Sequence, residues 1–512
     1  MFLVLLLVLG IIQRSFSGVL STSIIIAISM VTAMGLAGWL GIALTTASTN
    51  APIIILTLAV ADSIHILSTV FQNMRKGKPK HEAIAESLRV NLMPVFLTSI
   101  TTAIGFLSMN FSDAPPFRDL GNIVAIGVMA AFVYSVLFLP ALLAVLPVRV
   151  KPDSKAARCR SCEGLANFVI KRQKPLFWGM LAAIVIITAG TTQIELDDDW
   201  IKYFDKKFAI RQAADFAQEN LTGFDIVEYS LDSGETGGIN NPEYLAKLDE
   251  FKTWYLGQDK VVHVNTISDT LKRLNRNMHG DDEAYYRIPE SRELAAQYLL
   301  LYEMSLPFGL DLNNQINVDK SSTRFTATIR DSTTTELREM DTKARAWLKE
   351  NAPEHMFTYG SGISIMFAHI SKRNINSMLG ASLGALVLIS GILILALRSL
   401  KLGVLSLIPN LAPAFMAFGV WGVLVGQVGL GLSVVVSLTL GIVVDDTVHF
   451  MSKYLRARRE HALSPEEAVS RKTYKKDAIN NIEENDNEKV VDYIGAVDTV
   501  AGCVDSSTGS NS

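Results

Sequence analysis

The chain has 512 residues, of which 49% are hydrophobic and 19% charged; its formal net charge is −3 and its mean hydropathy +0.28. So apolar a composition excludes a single water-soluble globule, and the near-neutral balance argues against a nucleic-acid partner. Three cysteines, Cys159, Cys162 and Cys503, are too few for a disulfide framework, and the C-x-x-C pair lacks the second pair that zinc would want.

Met1 to Ile12 is apolar but too short to cross a bilayer and lacks the basic start of a signal peptide, so it reads as the tail of a span. Eight stretches are long enough to cross: 18–41, 50–71, 91–111, 121–146, 174–193, 376–397, 402–425 and 430–452. Basic residues cluster in the loop at 72–90, in the linker at 147–173, at Arg398 and Lys401, and after the last span from Lys453. If the eight spans alternate, all of these fall on one side, which is then cytoplasmic.

The segment 194–375 therefore lies outside, in the periplasm of a Gram-negative inner membrane. It alternates like strands at 224–231 and 323–329, each followed by a helical stretch, near 242–256 and 334–350. This predicts a small α/β domain, a sandwich of sheet and helices. The acidic run from Glu195 to Asp199 reads as a solvated connector.

Internal similarity sets the architecture. Asp62, His65 and Ser68 recur as Asp446, His449 and Ser452, 384 residues on, and Gly35 and Gly38 fall on Gly419 and Gly422 at the same offset. The fold class is thus a polytopic α-helical membrane protein in a twofold parallel repeat: 1–146 is the first repeat and 376–452 an incomplete second. After 453 a basic segment runs into an acidic, Ser/Asn-rich tail that reads as disordered and resembles a frameshifted end.

Carboxylates within membrane helices are costly and tend to be functional. Asp62 and Asp446, with Asp445, His65 and His449, form a candidate proton relay, because carboxylates close together in an apolar setting can take up and release a proton and histidine can pass it on. Thr98, Ser99, Thr101 and Thr102 either supply hydroxyls to Asp62 or act as packing glue. No P-loop, nucleophile elbow or dinucleotide fingerprint is present, so neither an enzyme nor a cofactor is expected.

The segment Val444 to Tyr454, followed by Ser464 to Ala468, resembles RND-superfamily exporters of the MMPL type. Thr98 to Phe106 with Pro115 to Gly121 is similar to the same family, and the first repeat also resembles a sterol-sensing-type domain. The resemblance covers about 1–471 and implies twelve spans with two external porter domains, moving hydrophobic or lipid substrates outward against protons. It implies that Asp62 and Asp446 are the coupling carboxylates. This chain departs from it at both ends, lacking a first span with its external domain and the last two spans. A homo-oligomer or a periplasmic partner fits such a machine, and a lipid- or sterol-sensing accessory protein is the alternative.

Overall fold

The computed structural model describes residues 2–13, 15–148, 167–199, 201–307, 309–460 and 464. The cysteines, most of the linker and the tail from 465 lie outside these residues.

The first repeat is a bundle of α1 (Phe2–Gln13), α2 (Phe16–Trp39), α3 (Ala51–Arg75), α4 (Lys80–Leu107), α5 (Pro115–Val133) and α6 (Leu139–Val145). A π-helical turn, Tyr134–Phe138, joins α5 to α6, and such turns commonly mark places where a helix must re-aim its side chains. Here it sets the Tyr134 hydroxyl 2.9 Å from Thr32 and buried Ser135 3.4 Å from Ser63, the neighbour of Asp62. Ser15 caps α2 by accepting from the Gly18 amide, satisfying one of the free donors of the first turn.

Helix α7 (Gln173–Ala189) leads to the inserted domain. There α8 (Ala209–Asn220) precedes β1 (Asp225–Asp232), α9 (Pro242–Leu256), β2 (Val261–Asn265), α10 (Ile267–Met278), α11 (Arg292–Ser305), β3 (Ser322–Ile329) and α12 (Thr334–Asn351). The sheet order is β1-β3-β2, antiparallel throughout, with Asp225 opposite Ile329 and a bulge in β2 between Val261 and His263. Strict alternation buries Val227, Tyr229 and Leu231 of β1 against the helices. The core is aromatic: Phe251 lies 4.6 Å from Phe325 and 5.1 Å from Trp347, ring centre to ring centre.

The chain returns through α13 (Ile363–Leu397), α14 (Leu400–Leu405), α15 (Leu407–Leu424) and α16 (Leu430–Glu460). Seven described segments are long and apolar enough to cross a membrane: Phe16–Trp39, Ser48–Arg75, Lys80–Phe111, Pro115–Val145, Gln173–Gln193, Ile363–Leu397 and Leu400–Leu424. The eighth expected span lies within α16. At one end of the bundle, Lys80 donates to the Ala144 carbonyl at 2.6 Å and Arg456 approaches Glu86 at 4.0 Å, so the start of α4, the end of α6 and the end of α16 meet there.

Two features mark the junction between domain and membrane, and the second corrects the sequence reading. The boundary expected at 375 falls inside α13, which at 35 residues is about 50 Å long. Ile365 and Ala368 belong to the domain core, whereas Met378 and Leu386 belong to membrane clusters. The acidic run is not a solvated connector, because Asp197 and Asp198 are buried. Asp197 accepts from the Thr334 hydroxyl at 2.7 Å and the Thr335 amide at 3.1 Å, at the start of α12. Burial pushes its carboxyl up, but hydrogen bonds from Thr333, Thr334 and two backbone amides outweigh that and hold it below the usual range. Asp198 accepts from the Tyr203 hydroxyl at 2.6 Å and from Ser371 of α13 at 3.1 Å. Glu195 pairs by backbone with Gly426 and Val428, before α16. The run stitches together four elements, and composition alone hid that, since buried and solvated aspartates look alike in a sequence.

Candidate functional site

Helix α4 runs through the middle of the membrane region, packed against α3, α5, α13 and α16. Its small polar residues let neighbours come close: the Thr102 hydroxyl donates to the Gly441 carbonyl of α16 at 3.0 Å, and no side chain separates them because residue 441 is glycine. On the opposite side, Ser87 donates to the Ile66 carbonyl of α3 at 2.7 Å. The hydroxyls on α4 serve both roles weighed from sequence, since Ser99 also reaches Asp62.

Asp62 sits near the middle of α3 and is 7% exposed. Its Oδ2 lies 3.3 Å from the Ser99 hydroxyl, which is also 2.8 Å from the Val95 carbonyl. A hydroxyl has one proton, so Ser99 can serve Asp62 or its own helix but not both. His65, one turn further along α3, stacks on His449 of α16 with ring centres 3.7 Å apart and planes 24° from parallel. His449 is 4% exposed, and its Nε2 is 3.4 Å from Oδ1 of Asp445, one turn back on the same helix. Thr98 of α4 faces Asp445.

The structure thus brings Asp62, His65, Asp445 and His449 into one cluster where the two repeats meet. Asp446, the residue that the offset matches to Asp62, lies on the exposed side of α16. Adjacent residues on a helix point about 100° apart, so only one of the two aspartates can face α3 and α4. The packing selects Asp445, which lies beside Thr98 of α4 and 3.4 Å from His449. Ser99 is the partner that sequence reasoning left undecided; its spacing within a run of hydroxyl residues carried no information about which one faces α3.

Comparison with known proteins follows the same division. Residues 12–164 match the family model described as the sterol-sensing domain of SREBP cleavage-activation, and residues 312–474 match the MMPL family. A membrane protein of Methanocaldococcus jannaschii is 28% identical over 127 residues, which is 25% of this chain and 33% of that one. Among solved structures, the hedgehog release protein Disp of the water bear Hypsibius dujardini superposes with a TM-score of 0.59 at 12% identity, over 91% of this chain and 62% of that chain. SecDF of Thermus thermophilus, a translocon-associated membrane protein, gives a TM-score of 0.48 at 14% identity, over 89% of this chain and 50% of its own. The chain therefore spans about a third to under two thirds of the length of these relatives, and the likeness to Disp concerns the fold.

Proposed function

We propose that this chain, whose residues 12–164 match the sterol-sensing-domain model and 312–474 the MMPL family, couples inward proton movement to outward movement of a hydrophobic or lipidic substrate. The observation that carries this is Asp62: a buried carboxylate at mid-span, held by a single shared hydroxyl and facing the Asp445–His449 pair of the other repeat. Protonation cancels a charge that the surrounding helices otherwise have to accommodate. Each change of charge state therefore favours a different packing of α3 against α4 and α16.

Helix α13 gives such a change a route outward. It packs on α4 and α16 within the membrane and ends in the domain core, where the Ala368 carbonyl accepts from Arg338 of α12 at 2.7 Å. Under this reading the domain is periplasmic and the basic end of the bundle cytoplasmic, in a Gram-negative inner membrane. Asp62, Asp445 and His449 carry the proton path, with His65 and Asp446 beside it.

The test is proton uptake into proteoliposomes containing the full chain and a pH-sensitive dye. Uptake in the unaltered protein and its loss in Asp62→Asn is the expected result. A second reading, lipid sensing without transport, draws on the sterol-sensing match over 12–164. It is favoured if Asp62→Asn leaves sterol or lipid binding intact and the unaltered protein takes up no protons.

A further inference from the structure

Three of the clustered side chains carry a second kind of chemistry. The ligand atoms of His65, Asp445 and His449 all lie within 4.8 Å of one another. Neither ring nitrogen of His449, nor Oδ1 of Asp445, completes a hydrogen bond, although His449 is 4% exposed. Buried polar atoms are nearly always satisfied, so unsatisfied ones on two neighbouring side chains of α16, set within ligand distance of His65 on α3, call for a ligand. We propose that His65, Asp445 and His449 form a binding site for one divalent ion of the Zn2+ type, bridging the first repeat to the second.

The donor set selects the ion. Two neutral imidazoles and one carboxylate suit a borderline-soft cation, whereas Mg2+ and Ca2+ want six or more oxygens. Asp445 and His449 stand four apart on α16 and so share a face, the spacing by which one helix supplies two ligands to one metal. His65 supplies the third from α3, leaving one position open in a tetrahedral shell. Donors around tetrahedral Zn2+ sit roughly 3.3 Å apart, close to the 3.4 Å between His449 and Asp445, so any wider pair closes in by at most about 1.5 Å through rotation of side chains. Asp62 and Asp446 add negative charge around the ion, against the single cation Lys453 on the next turn of α16.

Occupancy would pin α3 to α16 and engage the groups assigned to proton transfer. Zn2+ therefore blocks transport, a consequence that rests on the proton-coupled reading; the binding itself does not. The test uses the full chain in lipid nanodiscs, stripped with a chelator and then given Zn2+ alone. One tightly held Zn2+ per chain, measured by elemental analysis, is the expected result, lost in His65→Gln and in His449→Gln and retained in Asp62→Asn.

Co2+ given to the unaltered protein reports the site without any substitution, and a four-coordinate shell gives strong visible absorption. The proposal is overturned if the unaltered chain holds no more Zn2+ than the His65→Gln/His449→Gln double variant. It is equally overturned if Co2+ shows only the faint spectrum of a six-coordinate ion. Metal content is read without any proton gradient, so a chain that binds Zn2+ but takes up no protons refutes transport and leaves the site standing.

Discussion

The two copies of the repeated hairpin, α2 with α3 and α14–α15 with α16, share a pattern and differ in what surrounds it. Gly35 and Gly38 of the first copy face open space, and a methyl group added there touches nothing. Their counterparts Gly419 and Gly422 lie against the backbone of the segment from Ile187 to Gly190, where an added Cβ would sit 1.9 Å and 2.2 Å from carbonyl oxygens. Asp62 is buried against Ser99, whereas its counterpart Asp446 is exposed and the preceding Asp445 takes the inward place. Yet the local signals are the same, since Ser15 and Ser399 both cap the start of their copies. The repeat encodes a hairpin; the neighbours decide which face of it carries function.

The comparison breaks most visibly at the aspartates. Asp62→Asn is expected to abolish proton uptake in proteoliposomes, Asp445→Asn to reduce it severely, and Asp446→Asn to leave most of it. Equal losses at Asp445 and Asp446 would mean that the offset, rather than the observed packing, identifies the working residue.

A pH effect from the inserted domain has to be separated from that readout. Burial pushes the Asp225 carboxyl up to about 6, with neighbouring Asp199 and Asp331 adding to the rise against hydrogen bonds from Ser332 and Ser364. A carboxyl raised in the folded state binds its proton more tightly there than in the unfolded chain. The domain therefore loses stability as pH rises from about 4 through 6, by up to about 3 kcal/mol. Thermal melting across that range checks it, and Asp225→Asn should flatten the slope.

The glycines sharpen the contrast next. Gly419→Ala has to push α7 away from α15 and is expected to cost about 1–3 kcal/mol, read as a lowered Tm. Gly35→Ala should be neutral or gain up to about 1 kcal/mol, because alanine is the better helix former. The smallest effect is the one that should not distinguish the copies. Ser15→Ala and Ser399→Ala each remove an N-cap and are expected to cost about 1 kcal/mol alike.

Much of this was legible in advance. The expected strands at 224–231 and 323–329 fall within one residue of β1 and β3, because strict alternation against an aromatic core leaves a clear signature. Strand β2 went unread: it is five residues long and broken by a bulge, too short for periodicity to speak. The membrane segments were plain because length and apolarity suffice for them. The start of α13 was not, since its first turns are amphipathic and pack on the domain, so hydropathy rises only where the lipid begins. At the site, Asp62 and His65 stood out by spacing. The preference for Asp445 over Asp446 did not, because spacings of three and four both place residues on one helix face, and only the position of α4 separates them.

The order of strands in the inserted sheet also governs how the domain comes into being. Strand β3 lies between the other two and pairs with both, yet it is the last of the three in the chain, with Ile329 opposite Asp225. As the polypeptide is made, β1 and β2 appear before the strand that pairs with both, and residues 233–321 and 266–321 have still to follow. The core then needs Ile365 and Ala368 of α13 as well, so the domain closes only as the next membrane helix is delivered. Folding of the inserted domain and delivery of α13 are thus linked in time.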